Sequence, residues 1–322
     1  MDIPTMILTG LNKIFPKPKR PCSRNPEPKN LIDPTNPMTI DYFEIQINKG
    51  NDYYQNLYSS YIDFEDKIIL DLGCGLGGGT FAYSRMNVKL AIGLEIETAL
   101  LFSAKEYIKE KYGGCDKLVF LSADATLIPL ESNSVDIIIA NDFIEHVSNP
   151  EMAIQEAVRV LKEGGHFFFG FPAYYSPRGY HMLYTLYTPW CHVFFSEDTL
   201  VRAAKIIAAK EKYFWVLHPD WEKKYRSSLN KLTIKQFLNI LLSQKDCELA
   251  NLYFRSDYKL LQPLVYFVQM NEYFSYVECI LIKKRGSSIQ MQDIKNANWT
   301  ELKKDWGKLR KRLVKRSANL QV

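Results

Sequence analysis

The sequence predicts a doubly wound α/β fold, in which helices cover both faces of a mainly parallel sheet. Three observations predict it. From residue 67 to residue 172, short apolar runs alternate with stretches of helical periodicity. A glycine-rich turn follows the first apolar run. Acidic or amide side chains end the next three runs, and ligands of open α/β sheets bind at the carboxyl ends of the strands.

Each element is predicted from its local pattern, in chain order. Residues 39–61 are rich in tyrosine and predict one or two short helices. The apolar runs predict five strands, KIILDL, KLAIGLEI, KLVFLSAD, SVDIIIAND and HFFFGFP. Between them, GGTFAYSRM, TALLFSAKEYIKEKY and PEMAIQEAVRVLK have the apolar spacing of helices. Further helices are predicted at Ser196–Lys210 and TIKQFLNILLSQ, and two late strands near Glu248–Arg255 and Ser275–Lys284.

Composition places the chain among ordinary globular proteins of a reducing compartment. It has 322 residues, of which 47% are hydrophobic and 24% charged. The six cysteines form no CxxC pair, which argues against a zinc site and a disulfide framework, so no metal site is predicted. No apolar run has the length of a membrane span, and the N-terminus lacks the features of a secretory signal. We therefore expect a cytoplasmic protein.

The net charge of +5 is concentrated at the two ends of the chain. Residues 301–322 contain eight basic and two acidic side chains, and residues 1–37 contain six and three. The part between them is therefore mildly acidic. Enzymes that act on nucleic acid usually have basic residues around the site, so we expect no nucleic-acid partner.

The stretch IILDLGCGLGGGT, residues 68–80, raises the question of which ligand its glycine turn holds. A P-loop is excluded because no GK[ST] follows. The motif GxGxxG, with Glu95 at the end of the second strand, would also suit a nicotinamide dinucleotide. Two further acids argue against that ligand. Asp71 adds negative charge beside a turn that would receive a pyrophosphate, and Asp124 places another acid at the next strand end.

Five ordered features carry a family resemblance: LDLGCGLGGGT, Glu95, ADA at 123–125, VDIIIANDFIEHV and RVLKEGGHFFFGFP. Together they resemble the successive motifs of class I S-adenosylmethionine-dependent methyltransferases, in particular the type-11-like group that acts on small molecules. The resemblance covers residues 65–172 well and residues 250–284 loosely. It implies a doubly wound, Rossmann-like sheet of seven strands, the last of them antiparallel, with inserted lid elements. It also implies S-adenosylmethionine as the cofactor.

The resemblance further implies which side chains bind the cofactor. Glu95 accepts hydrogen bonds from both ribose hydroxyls, and Asp124 accepts one from the adenine amino group. Asp71 orders the turn and faces the ammonium group of the methionine moiety. The glycines let the backbone approach the cofactor, where a Cβ atom would clash. The predicted cofactor-binding residues are Asp71, Gly73, Cys74, Gly75, Gly77, Glu95, Asp124, Ala125 and Asn141.

Three residues are candidates for catalysis, namely Asp142, His146 and His181. Asp142 follows the fourth strand, where the substrate would meet the cofactor. His146 is the best candidate base, because imidazole titrates near neutral pH; alternatively, the sequence EH only opens a short helix and packs against the loop. His181 lies in the aromatic stretch 174–195. That stretch is either a lid over a hydrophobic, sugar-like or cationic acceptor or a buried aromatic cluster.

Three regions are predicted along the chain. Residues 1–37 form a basic, proline-rich arm. Residues 38–290 form the methyltransferase domain, with a cofactor half at about 65–172 and acceptor-lid elements at about 174–274. Residues 291–322 form a basic amphipathic helix, whose Trp and Leu residues repeat every three or four positions. That helix either docks on the acidic surface of the domain or lies peripherally on an anionic membrane.

The predicted function is direct methyl transfer from S-adenosylmethionine to a small-molecule, saccharide or lipid-linked acceptor in a closed, aromatic-lined site. Nucleic-acid acceptors are disfavoured, because NDFI stands where adenine methylation has [DNS]PP[YFW] and cytosine methylation has a Pro-Cys pair. Cys191 is more simply a packed thiol than a nucleophile. The alternative is a non-catalytic cofactor-binding scaffold of the same fold, and a dehydrogenase is the third hypothesis.

Overall fold

Seven strands form one mixed sheet in the computed structural model, which describes residues 1–15, 37–177, 179–182, 185–211, 214–217, 219–256, 258–267 and 270–284. The strands are β1 Ile68–Leu72, β2 Leu90–Glu95, β3 Leu118–Ser122, β4 Val135–Asn141, β5 Leu161–Pro172, β6 Cys247–Arg255 and β7 Tyr276–Lys283. Their order across the sheet is β3-β2-β1-β4-β5-β7-β6. The first five strands pair in parallel, whereas β7 is antiparallel to both β5 and β6. The predicted sheet with an antiparallel last strand is confirmed.

Eleven α-helices accompany the sheet within the described part of the chain. They are α1 Ile3–Leu11, α2 Pro37–Asn56, α3 Gly78–Ser84, α4 Thr98–Tyr112, α5 Pro150–Val160, α6 Cys191–Phe194, α7 Glu197–Glu211, α8 Phe214–Leu217, α9 Trp221–Ser227, α10 Ile234–Ser243 and α11 Asn271–Phe274. Short 3-10 turns occur at Tyr58–Ser60, Ile144–His146 and Lys259–Tyr266. None of these described helices has the length and apolar character needed to cross a bilayer.

β5 begins five residues before the predicted HFFFGFP segment, and α5 ends at Val160, two residues before its predicted end. The pairing of β4 with β5 shifts register between Val135 and Ile137, which accommodates the extra residues at the start of β5. Lys162 then lies beside β4, where its Nζ is 2.9 Å from Asp136 Oδ2. The pairing of Leu161 with Val135 and the ion pair of Lys162 therefore end the helix before these two residues.

The order of the strands places a ligand crevice at the end of β1. β1 pairs with β2 on one side and with β4 on the other, so the chain reverses its direction across the sheet here. In open α/β sheets such a switch point opens a crevice beyond the carboxyl ends of the two strands. The glycine turn that follows β1 lies at this crevice.

The N-terminal residues belong to the packed body of the protein. α1 packs against α7, with Leu8 fully buried. Asn12 donates a hydrogen bond from Nδ2 to the carbonyl of Thr185 at 3.2 Å. The first part of the predicted arm is thus a docked helix. Residues 16–36 of that arm, and the predicted C-terminal helix at 291–322, lie outside the described residues.

Candidate cofactor and acceptor site

The glycine turn depends on glycine for its backbone and for its packing. Gly73, Gly75 and Gly77 have φ angles of +68°, +57° and +74°, in the left-handed region that glycine occupies without strain. A Cβ atom at Gly73 would lie 2.2 Å from the ring of Phe143, and one at Gly77 would lie 2.4 Å from the ring of Phe120. These contacts within the protein favour glycine at positions 73 and 77 whether or not the backbone also approaches a cofactor.

Helix α2 packs against the glycine turn and forms hydrogen bonds with it. The Gln46 side chain accepts a hydrogen bond from the Gly78 N–H at 3.1 Å and donates one to the Cys74 carbonyl at 3.4 Å. α2 also lies so close to α3 that a Cβ at Gly78 would be 2.3 Å from the carbonyl oxygen of Phe43. The sequence analysis did not identify Gln46. The spacing of Tyr42, Gln46, Lys49, Gly50 and Tyr53 along one helix face could have indicated it.

Two cavities flank the turn and share Gly73 and Asp142. The first, of about 430 Å³, is lined by five of the predicted cofactor residues, namely Asp71, Gly73, Cys74, Gly75 and Asn141. The second, of about 390 Å³, is lined by Gly73 and by three more of them, Glu95, Asp124 and Ala125. Gly77 lines neither cavity, because it faces Phe120. The predicted methionine and adenosine ends of the site thus lie on either side of Gly73.

Glu95, at the end of β2, is fixed by the backbone around it. Its Oε2 accepts a hydrogen bond from the Gly75 N–H at 3.1 Å, and its Oε1 accepts one from the Glu97 N–H at 3.0 Å. A carboxylate has about four acceptor positions, so two hydrogen bonds leave it able to receive further donors from the cavity. These remaining acceptor positions on one carboxylate match the two neighbouring hydroxyl groups of a ribose.

Asp124 is ordered in a turn after β3. Its Oδ1 accepts hydrogen bonds from both the backbone N–H and the hydroxyl of Thr126, each at 2.8 Å. The side chain therefore stabilises the turn and at the same time lines the second cavity. These two roles are compatible, since the turn contacts use one of the two carboxyl oxygens.

Asp71 is a buried acid at the inner end of the first cavity. Its side chain accepts a 2.6 Å hydrogen bond from the hydroxyl of Thr80. Burial raises the pKa of Asp71 to about 7, and the charge of Glu95 acts in the same direction, against the bond from Thr80. A cationic ligand group in this cavity, such as an ammonium group, would lower the pKa of Asp71 and favour its ionised carboxylate.

Asn141 and Asp142 follow one another at the end of β4. Asn141 donates a hydrogen bond from Nδ2 to the Tyr58 hydroxyl at 2.5 Å. Asp142 has a φ of +49°, accepts a 3.0 Å hydrogen bond from the Tyr276 hydroxyl and lies 4.0 Å from Lys49 Nζ. The left-handed backbone is uncommon for a non-glycine residue and is a feature of functional sites.

A third cavity opens on the other side of Asp142. It has a volume of about 400 Å³ and is lined by residues of α2, β6 and β7, including Lys49, Tyr53, Arg255, Tyr276 and Glu278. The Arg255 guanidinium lies 4.6 Å from the ring centroid of Tyr276, and its Nε lies 3.4 Å from Glu278. The cavity is therefore polar, with both signs of charge. Asp142 lines all three cavities.

The other two catalytic candidates lie together with a residue that the sequence analysis did not single out. The rings of His146 and His181 meet edge to face, with centroids 4.8 Å apart. Glu145 is buried beneath them, and its Oε1 lies 3.6 Å from His181 Nε2. Burial, and to a smaller extent His146, lower the pKa of His181 to about 3. Burial and the charge of Asp142 hold the pKa of Glu145 well above its usual range. His146 also lines the second cavity.

The aromatic stretch 174–195 packs mainly as a cluster under α1 and α7. Tyr180 is buried, donates a hydrogen bond to the carbonyl of Leu186 and stacks on His192 with centroids 4.8 Å apart. Burial raises the pKa of Cys191 to about 12, so its thiol is a packed group and a poor nucleophile. None of the described residues of this stretch lines the three cavities.

The chain has relatives named as methyltransferases over this region. Residues 70–169 match the family described as "Methyltransferase domain". Over 101 residues the chain is 36% identical to sterol 24-C-methyltransferase from Pneumocystis carinii, which covers 31% of this chain and 26% of that protein. Over 143 residues it is 27% identical to malonyl-[acyl-carrier protein] O-methyltransferase from Marinomonas sp., which covers 39% and 52%. The matches thus span about a quarter to a half of these relatives.

The chain also matches a solved structure at low sequence identity. It is a putative S-adenosylmethionine-dependent methyltransferase from Methanococcus maripaludis, with 15% sequence identity and a TM-score of 0.47. The similarity covers 81% of this chain and 98% of that one.

Proposed function

We propose that this chain, in which residues 70–169 form a class I S-adenosylmethionine-dependent methyltransferase domain, transfers the methyl group of that cofactor to a polar small-molecule acceptor. The resemblance predicted from the sequence is confirmed over that segment. The acceptor and the activity of the whole chain are our proposal.

The position of Asp142 supports the proposal most directly. Asp142 lines the two cavities that hold the predicted cofactor residues, and it also lines the third cavity. A donor in the first two cavities and an acceptor in the third would therefore meet at this one side chain. Methyl transfer needs this arrangement, because alignment of the two reactants accounts for most of the catalysis.

The residues of the site fit the cofactor that the family uses. When bound, S-adenosylmethionine supplies an electrophilic methyl group on a sulfonium. Glu95 and Asp124 offer acceptors for the nucleoside at one end. Asp71, at the other end, offers a carboxylate for the ammonium group. Asp142, between them, is placed to orient an acceptor hydroxyl or amine and to receive its proton.

The lining of the third cavity favours acceptors with hydroxyl or charged groups. Lys49, Arg255 and Glu278 line it, and they match the hydrogen-bonding groups of a saccharide or a polar metabolite better than a bare hydrocarbon. Tyr53 and Tyr276 supply its aromatic component. The relatives are named for a sterol and for malonyl-[acyl-carrier protein], which supports a small-molecule or carrier-borne acceptor.

The test is calorimetric titration of the full chain with S-adenosylmethionine, S-adenosylhomocysteine and NAD. We expect micromolar binding of the first two ligands, no binding of NAD, and loss of binding in Glu95→Ala. The exposed Glu110→Ala on α4 is the matched control and should bind as the wild type does. Binding of NAD alone would refute the proposal in favour of a dehydrogenase.

Turnover separates an enzyme from a non-catalytic scaffold. Saccharide, lipid-linked and polar metabolite fractions are incubated with the protein and S-adenosylmethionine carrying a labelled methyl group. Transfer of the label that is lost in Glu95→Ala is the expected result. Tight cofactor binding without label transfer to any fraction would support the scaffold instead.

A further inference from the structure

Three side chains from two distant segments converge beside the second cavity. Glu145 and His146 lie in the turn after β4, and His181 lies 35 positions further along the chain. One ligand atom from each residue lies within 4.8 Å of the others. Ligand atoms that share a tetrahedral cation at about 2.0–2.2 Å lie about 3.3–3.6 Å from one another. Side-chain movements of up to about 1.5 Å would therefore bring all three into a coordination sphere.

The Glu145 carboxylate lacks the partners that a buried acid needs. The residue is 4% exposed, and neither of its carboxyl oxygens has a hydrogen-bond partner among the described residues. Its Oε1 faces His181 Nε2 across 3.6 Å. An unpaired buried carboxylate is costly, whereas a cation coordinated by the same oxygens compensates the charge.

His146 is held in the form that a metal ligand requires. Its Nδ1 lies 2.6 Å from the carbonyl oxygen of Ser228. A carbonyl only accepts hydrogen bonds, so Nδ1 carries the proton and Nε2 keeps its lone pair. Histidines that bind metals are oriented in this way, with the second ring nitrogen donating to a carbonyl or carboxylate.

The turn that carries two of these side chains is rigidly supported. The Asn230 side chain donates hydrogen bonds to the carbonyls of Ile144 and Val147, each at 2.8 Å, and its N–H donates to the Glu145 carbonyl at 2.9 Å. On the opposite side, His181 has a φ of +56°. A non-glycine residue keeps such a backbone only where its surroundings hold it, and such residues cluster at functional sites.

We propose that Glu145, His146 and His181 bind one divalent transition-metal cation at the wall of the adenosine-side cavity. Two imidazoles and one carboxylate suit Zn²⁺, Fe²⁺, Co²⁺ or Mn²⁺ better than Mg²⁺ or Ca²⁺, which prefer oxygen ligands. The cysteine pattern gave no indication of this site, because it uses no cysteine. Three protein ligands leave coordination positions open for a further ligand.

The role of the cation rests on the proposed function. An acceptor that extends from the third cavity past Asp142, which also lines the second cavity, would place a hydroxyl group at an open position of the cation, and Asp142 would receive its proton. The oxygen electron pair then forms the bond to the methyl carbon, while the pair of the breaking carbon–sulfur bond stays on sulfur. This assignment predicts O-methylation of a hydroxylated acceptor.

The test is titration of the chelator-stripped full chain with Co²⁺ and Zn²⁺, followed by calorimetry and by the visible absorption of bound Co²⁺. We expect one equivalent to bind. Glu145→Gln and His181→Gln should each raise the dissociation constant at least tenfold. His166→Gln, which changes a half-buried histidine on β5 outside the cluster, is the matched control and should leave it unchanged.

Two outcomes would overturn the cation site. One is the lack of stoichiometric binding in the wild type, and the other is equal binding in the wild type and in both cluster variants. Thermal unfolding of the metal-free proteins checks that the variants fold. A chain that binds Co²⁺ but not S-adenosylmethionine would refute the proposed function and leave the cation site intact.

Discussion

Replacing the buried acid of the glycine turn should stabilise the free protein and weaken cofactor binding. The substitution is Asp71→Asn. It keeps an oxygen that can accept the hydrogen bond from Thr80 but removes a charge that burial disfavours. The two expected effects have opposite signs, so a general loss of folding cannot imitate them.

The size of the stabilisation follows from the raised pKa. One pKa unit corresponds to about 1.4 kcal/mol, so a rise from 3.8 to about 7 makes the ionised form of Asp71 cost about 4 kcal/mol. The asparagine NH₂ must be buried in place of the charge, which takes back about 1–3 kcal/mol. At pH 8 we expect the free energy of unfolding to increase by about 1–3 kcal/mol.

The sign of the pH dependence follows from proton binding. Between pH 4 and pH 7 the folded protein keeps the proton of Asp71, whereas the unfolded chain has lost it. The contribution of this group to stability is therefore fullest below the unfolded pKa and is lost as the pH rises through the folded pKa. The advantage of Asp71→Asn should shrink by roughly 2–3 kcal/mol between pH 8 and pH 5.

Urea denaturation at the two pH values measures the stability, and calorimetry measures the affinity for S-adenosylmethionine. The lost charge-assisted contact to the ammonium group should weaken binding about 10- to 100-fold. Asp116→Asn, at an exposed acid, is the control and should change neither quantity. The reasoning is refuted if Asp71→Asn is less stable than the wild type at pH 8, or if its affinity for the cofactor is unchanged.

Two further substitutions separate packing from catalysis. Gly77→Ala should cost about 2–4 kcal/mol of stability, because it combines a left-handed alanine with a clash against Phe120, whereas Gly113→Ala, at φ +75° with no atom within 4 Å, should cost only about 1–2 kcal/mol. Equal losses of urea stability in the two variants would contradict the packing role of Gly77. Asp142→Asn should lower turnover at least 100-fold and leave the dissociation constant of S-adenosylmethionine within about threefold, since the amide oxygen still accepts from Tyr276. Unchanged turnover would remove Asp142 from the reaction.

The clustering of the proposed cofactor residues could be predicted because they lie next to strand ends in the sequence. A buried strand that ends in an acidic or amide side chain is a local pattern, and parallel strands bring such ends together without further information. Glu95, Asp124 and Asn141 are all of this kind, and all three line the cavities. The β5 boundary was predicted less well, since the pairing of Leu161 with Val135 of β4 is a tertiary contact that no local period records.

The acceptor side was not predictable to the same extent, because its residues come from segments that are far apart in the chain. Lys49 of α2, Arg255 of β6 and Glu278 of β7 share a cavity only because the two last strands lie beside β5 and α2 crosses the glycine turn. His146 and His181 meet for a similar reason, and a spacing of 35 residues gives no period to detect. Substitutions at Arg255 or Glu278 should therefore change which acceptor is methylated without changing cofactor affinity. Asp142 lines both cavities, so under our proposal the same cofactor site would serve different acceptors when only these distant residues change.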